Sequence, residues 1–222
     1  PLRYSAAPLL DLCRKVNAEG PRNIAKVCKE LNAKMIYIST DYVFPGVGDH
    51  AYEPDDPTGP LSIYGETKLE GEKAVQALLN RYFIVRISWV FGKNGNNFIK
   101  TMLRLSETHD EVSVVCDQIG SPTYTADLAP LLCDMAETEK YGVYHATNEG
   151  YCSWSDFAKE IFRQAGRSTK VNAIPSDQYP AKAHRPENSR MSKDKLVENG
   201  FHRLPTWQDA LSRYLTEINE KA

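Results

Sequence analysis

No run of apolar residues in this chain approaches the roughly 20 that a membrane-crossing helix requires. Nor is there a basic run or a basic excess. Lys and Arg number 27 against 29 Asp and Glu, a net charge of −2, which offers nucleic acid or an anionic membrane no electrostatic footing. The five cysteines (Cys13, Cys28, Cys116, Cys133, Cys152) are odd in number, scattered and without a CxxC pair, so they read as reduced thiols of a cytoplasmic protein rather than a disulfide framework. The histidines at 50, 109, 145, 184 and 202 never fall at i,i+3 or i,i+4, and none lies near two cysteines; no metal site is expected. A GxSxG elbow is absent. The opening PLRYSAAPLLDLCRKVN has too short an apolar stretch, too close to charge, for a secretory signal.

What is present is an ordinary globular composition, 41% hydrophobic and 25% charged over 222 residues, enough for a large domain with a smaller lobe. Residues 14–32 have helical spacing, with Ile24, Val27, Cys28 and Leu31 on one face and a kink or restart at Gly20-Pro21. AKMIYIST (33–40) suits a strand buried on both faces. The Pro-, Gly- and Asp-rich stretch after it is a loop. A helix over about 64–80 and a second buried strand, YFIVRISWVFG (82–92), follow. This alternation predicts an α/β fold: a Rossmann-type parallel sheet with crossover helices.

Beyond Gly92 the pattern loosens. Helices are expected in NNFIKTMLRLSET, TADLAPLLCDMAET, SWSDFAKEIFRQAG (opened by a Ser153–Asp156 capping box) and PTWQDALSRYLTEI (with Thr206 and Asp209 in the same roles), and strands in EVSVVCD and GVYHAT. Residues 1–92 and 124–148 are assigned to the sheet domain, and 93–123 and 149–222 to a smaller mixed α/β lobe.

The strongest chemical signal is Tyr64-Gly-Glu-Thr-Lys68, which sets a phenol and an ammonium one turn apart on a helix face. A phenol with its ordinary pKa near 10 is a poor proton shuttle at neutral pH, and a neighbouring ammonium favours its phenolate. The pair suits a general acid for reducing a ketone, or a base for oxidising an alcohol; a surface tyrosine beside a solvated lysine is the competing interpretation. Ser39-Thr40-Asp41 lies where the first strand gives out into a loop, and Trp89 near the end of the second. Ligands of open parallel sheets bind at those ends, although capping for the hydroxyls and core packing for the tryptophan are alternatives. Gly46-Val-Gly48-Asp-His-Ala51 matches GxGxxG/A but follows Pro45 and leads into YEPDDP, which cannot open a helix, so it is no dinucleotide turn. Gly92-Lys-Asn-Gly95 precedes a helix and reads as a plain loop, with an anion-binding turn as the alternative.

STDYVF (39–44), YGETKLEGE (64–72), RISWVFG (86–92), DQIGSPTYTADLA (117–129) and RPENSRM (185–191) together resemble the dTDP-4-dehydrorhamnose reductases of the extended short-chain dehydrogenase/reductase group. The last two blocks separate this likeness from epimerases and dehydratases. The resemblance implies NADPH or NADH as cofactor, a dTDP-sugar as substrate, and a role in rhamnose supply for cell-surface polysaccharide, with a homodimer as an assembly it allows. By motif position Thr40, Tyr64 and Lys68 would be the catalytic set. Tyr64 would protonate the C4 carbonyl oxygen, Lys68 would also grip the nicotinamide ribose, and Thr40 would bond the reacting oxygen. Asp41 and Trp89 would contact substrate. Arg185 is a separate candidate for the sugar-nucleotide diphosphate, with a surface salt bridge as its alternative.

The family's opening βαβ units with their GxxGxxG turn are not found before Asn17, so the Rossmann-type domain is expected to be incomplete at its N-terminus and the isolated chain to bind NADPH or NADH poorly. Two other readings are a non-catalytic regulatory subunit similar to the methionine adenosyltransferase beta subunit, and another nucleotide-sugar epimerase or dehydratase. A dehydratase would carry an acidic pair after Thr40, but Asp41 is followed by Tyr42.

Overall fold

The structure is a computed structural model and describes residues 7–179 and 185–219; residues 1–6 of the opening stretch lie outside them. Three parallel strands form the central sheet, β1 (Met35–Thr40), β2 (Tyr82–Ile87) and β7 (Gly142–His145), in the order β1-β2-β7. The register pairs Thr40 with Ile87 and Arg86 with His145. Phe83, Ile84 and Val85 of the middle strand have no exposed surface, as a near-continuous apolar run covered on both faces requires. Phe83 and Val85 pack against Leu128, Leu131 and Met135 of α5 (Thr125–Ala136). Ile84 packs on the other face, with Ala25 of α2 (Gly20–Glu30) and Val75 of α3 (Ile63–Leu78). The sheet is thus sandwiched between helices, a Rossmann-like arrangement.

One charged pair interrupts this core. Arg86, on β2, donates to both oxygens of Glu72 on α3 at 3.0 and 2.8 Å, and also to the Pro54 carbonyl. Both side chains are almost completely buried.

Three details depart from the sequence reading. The first helix does restart at Gly20-Pro21, after a π-helical turn (Lys15–Glu19) that joins α1 (Ala7–Arg14) to α2, but it buries another face than expected. The face it buries carries Ala18, Pro21 and Ala25, whereas Ile24, Val27 and Leu31 are exposed. On that face Ala25 packs with Val75 and Leu79. The stretch expected to be one strand over 82–92 is broken. β2 ends at Ile87, Trp89 adopts a left-handed backbone (φ 48°), and β3 (Val90–Phe91) pairs instead with β6 (Thr123–Tyr124). The kink's polar groups are satisfied: Ser88 Oγ donates to the Ser121 carbonyl and Thr123 Oγ1 donates to the Ser88 carbonyl. Finally, KVNAI forms an unforeseen strand, β9 (Lys170–Ile174), parallel to β4 (Glu111–Val115).

A second core joins α4 (Phe98–Leu105), α6 (Trp154–Gln164) and α8 (Trp207–Asn219) around Phe157, Ile161, Leu211 and Tyr214. The Ser153–Asp156 capping box forms in full; at Thr206 only a long hydrogen bond from the Asp209 amide is present. Two-residue strands β5 (Ile119–Gly120) and β8 (Cys152–Ser153) pair antiparallel, and a short α7 (Asp194–Glu198) follows the 185–192 segment. Among the described residues no helix is long and apolar enough to cross a membrane.

Candidate active site

The carboxyl ends of β1 and β2 open into a cavity of about 700 Å³. Thr40, Asp41, Tyr64, Lys68, Trp89 and Arg185 all line it, so the six residues singled out in the sequence share one wall-to-wall space. Each arrives from a different constraint. Thr40 ends β1, and its hydroxyl accepts from the Tyr42 amide to start a 3-10 turn over Asp41–Val43. Tyr64 and Lys68 belong to α3, whose first turn is capped by Ser62 accepting from the Gly65 amide. Gly65 is required there, since a Cβ would run into the Tyr42 carbonyl oxygen. That closeness sets the Tyr64 ring edge-on to Tyr42, 5.6 Å between centres.

Lys68 is held from two sides. Its ammonium donates to the Ile38 carbonyl at 2.6 Å and lies 4.1 Å from the centre of the Tyr37 ring. Burial pulls its pKa from 10.5 down to about 8, with Glu72 and Cys13 acting in the opposite direction. A group titrating so near neutrality is a recurrent feature of functional sites. Ser39, also on the cavity wall, is 3% exposed, and its hydroxyl finds no hydrogen-bond partner among the described residues. A buried orphan hydroxyl is costly unless a ligand completes it.

Thr40 and Asp41 are linked to each other and to a distant segment. Thr40 Oγ1 donates to Asp41 Oδ1 at 2.9 Å, and Ser189 Oγ donates to Asp41 Oδ2 at 2.6 Å. Trp89 is only half-buried: it stacks on Trp154 (3.7 Å between ring centres, 15° between planes) and packs against the second core while facing the cavity. Trp154, Asn96 and Phe98 also line the space and were not foreseen; their spacing is that of ordinary helix starts and turns. Arg185 lines the cavity and makes no ion pair among the described residues.

Gly46 has φ 69° and abuts Pro186, in a loop that opens no helix. After Gly92, the Lys100 ammonium folds back onto the Lys93 and Gly95 carbonyls, so this turn presents a cation-filled loop rather than an anion cradle.

Residues 10–220 match the family model of the RmlD substrate binding domain. The dTDP-4-dehydrorhamnose reductase of Escherichia coli K12 is 40% identical over 219 residues, 94% of this chain and 73% of the relative. The chain belongs to the dTDP-4-dehydrorhamnose reductase family. The reductase of Bacillus anthracis Ames, solved in complex with NADP, superposes with a TM-score of 0.91 at 45% identity, covering 94% of this chain and 74% of that one. The spore coat polysaccharide biosynthesis protein SpsK of Bacillus subtilis 168 is 40% identical, with 94% and 73% covered. This member of the reductase family therefore spans about three-quarters of the relatives' length.

Proposed function

We propose that the chain reduces the C4 ketone of dTDP-4-dehydro-L-rhamnose to dTDP-L-rhamnose, in the cytoplasm, for cell-surface polysaccharide. The observation that carries this is the convergence of Tyr64, Lys68 and Thr40 on one cavity in a member of this reductase family. The cavity fits the nicotinamide end of NADPH: Ser39 offers a buried hydroxyl lacking a partner, and Lys68 a buried ammonium. NADPH, when bound, supplies the hydride that reduces the carbonyl carbon. Tyr64 gives its phenolic proton to the carbonyl oxygen, and the Lys68 cation stabilises the phenolate left behind. Trp89 and Trp154 form an aromatic wall for the sugar, and Arg185 supplies positive charge for the diphosphate. On this assignment residues 1–92 and 124–148 carry the cofactor side, and 93–123 and 149–222 the sugar-nucleotide side.

Incubation of a protein that carries this chain at the full length of its relatives with NADPH and dTDP-4-dehydrorhamnose, with products separated by chromatography, tests the proposal. It expects one dTDP-rhamnose per NADPH oxidised; ketone left unconsumed with both ligands bound would overturn it.

A further inference from the structure

Lys193 directly follows the 185–192 segment, and its side chain turns inward, with 4% of it exposed. Taking an ammonium out of water is costly unless the charge is paired. Burial pulls its pKa below the ordinary 10.5, and Glu149 works against that. The ammonium stands 3.8 Å from Glu149 Oε1, a buried oxygen with no hydrogen-bond partner among the described residues. It also lies 4.5 Å from the centre of the Tyr151 ring. The Tyr151 hydroxyl donates in turn to the Met191 carbonyl at 3.0 Å. Lys193 and Tyr151 therefore cross-link the segment and the 149–154 loop in both directions.

Both of the joined pieces carry cavity wall. The segment begins with Arg185, and the loop ends in Ser153, which caps α6, and Trp154, the first residue of that helix. β5 lies between them: the Ser189 amide donates to the Ile119 carbonyl, while Ile119 pairs with Ser153 on β8. Two pieces hinged on a two-residue strand can still pivot, whereas a second attachment fixes their angle as well as their distance. Lys193 does not itself line the cavity; it supplies that second attachment. We infer that Lys193 is a positioning residue, which sets the spacing between Trp154 and Arg185 and with it the fit of the sugar nucleotide. This rests on the ketone reduction proposed above, in which those two residues face the sugar and the diphosphate.

Two measurements test this on a protein that carries the chain at the full length of its relatives. Lys193→Met keeps most of the apolar stem, and Glu149 retains Arg203 as a partner at 3.3 Å, so no carboxylate is stranded. In steady-state kinetics it is expected to lower kcat/KM for dTDP-4-dehydrorhamnose on the order of tenfold, chiefly through KM, with the Kd for NADPH unchanged. Lys193→Arg, which keeps the cation, should restore most of the loss. A rise in the NADPH Kd as large as that in KM, or no rise in either, overturns the assignment. The second measurement needs no turnover: circular dichroism of the Trp89–Trp154 stack, whose overlapping indoles give an exciton couplet that Trp154→Phe identifies. Lys193→Met should shrink the couplet at temperatures well below its melting transition. Tyr151→Phe, a milder change at a half-exposed ring, loosens the same junction and should move it in the same direction. A couplet unchanged in both variants refutes the positioning whether or not the ketone is the substrate. A couplet that shrinks in a protein unable to reduce the ketone supports the positioning and removes the reduction alone, so the two failures remain distinct.

Discussion

The Lys68 ammonium sits over the face of Tyr37, and the Tyr37 hydroxyl in turn donates to the carbonyl of Asn17 in the π-helical turn. The lysine is therefore buried against an aromatic face on one side and a strand carbonyl on the other, with Glu72 further along its own helix. With its pKa lowered from 10.5 to about 8, chiefly by burial, it loses charge in the folded protein well before it would in the unfolded chain. Activity is expected to decline as pH rises through about 8. The stability contribution runs the other way: between about 8 and 10.5 the unfolded chain holds more protons at this site, so folding gains as pH rises. A kcat–pH profile and thermal melts over the same range check both signs. Lys68→Met should lower the rate, raise the KM for NADPH and abolish the falling limb.

Tyr64→Phe is expected to leave substrate and NADPH Kd values near those of the unaltered chain while kcat drops on the order of 100- to 10,000-fold. The Tyr42 edge contact involves the ring, which phenylalanine keeps. Single-turnover kinetics showing less than a tenfold loss would remove Tyr64 as the proton donor.

Trp89 serves both the cavity and the core. Its stack on Trp154 should be worth about 0.5–1.5 kcal/mol beyond area burial, so Trp89→Ala and Trp154→Ala each lower stability, and the double variant loses less than their sum. Both should also raise the KM for dTDP-4-dehydrorhamnose more than the KM for NADPH. Denaturant melts of the four proteins in the cycle, together with their KM values, measure the two effects separately.

Glu72→Ala leaves the Arg86 guanidinium buried beside Phe44 and His145 with its strongest partner gone. Removing one member of a buried pair typically costs about 3–5 kcal/mol. His145, fully enclosed and held well below its ordinary pKa by burial and by Arg86, cannot compensate with negative charge. Replacing both partners by apolar residues (Glu72→Leu with Arg86→Met) should cost less than Glu72→Ala alone, as read from chemical denaturation.

Much of this was legible in the sequence because the strongest signals are local. Apolar runs flanked by turn residues gave β1 and β2, and the Tyr64/Lys68 spacing and Ser153/Asp156 box are periodicities of a single helix. What escaped depended on partners far away in the chain. The exposed stripe at Ile24, Val27 and Leu31 has the pattern of a buried face, while the face that packs on α3 carries Ala25. Trp89 reads as a strand residue, because the pairing of β3 with β6 that forces its left-handed turn lies over 30 residues on. β9 is half polar and exists through its ladder with β4. The Ser189–Asp41 bond has no local signature at all.

The Glu72–Arg86 bridge also works as a key in a shaft. Glu72 lies two turns from Tyr64 on the same helix, roughly 12 Å along the axis. Sliding α3 by one turn would strand a buried carboxylate against apolar side chains, so the register of the helix against β2 has a single seating. The Tyr64–Lys68 face is consequently the anvil of the site. Adjustment to ligands of different size falls to the opposite wall, where the 185–192 segment is secured by hydrogen bonds to loops and a two-residue strand. Relatives with altered sugar preference should carry their changes on that wall.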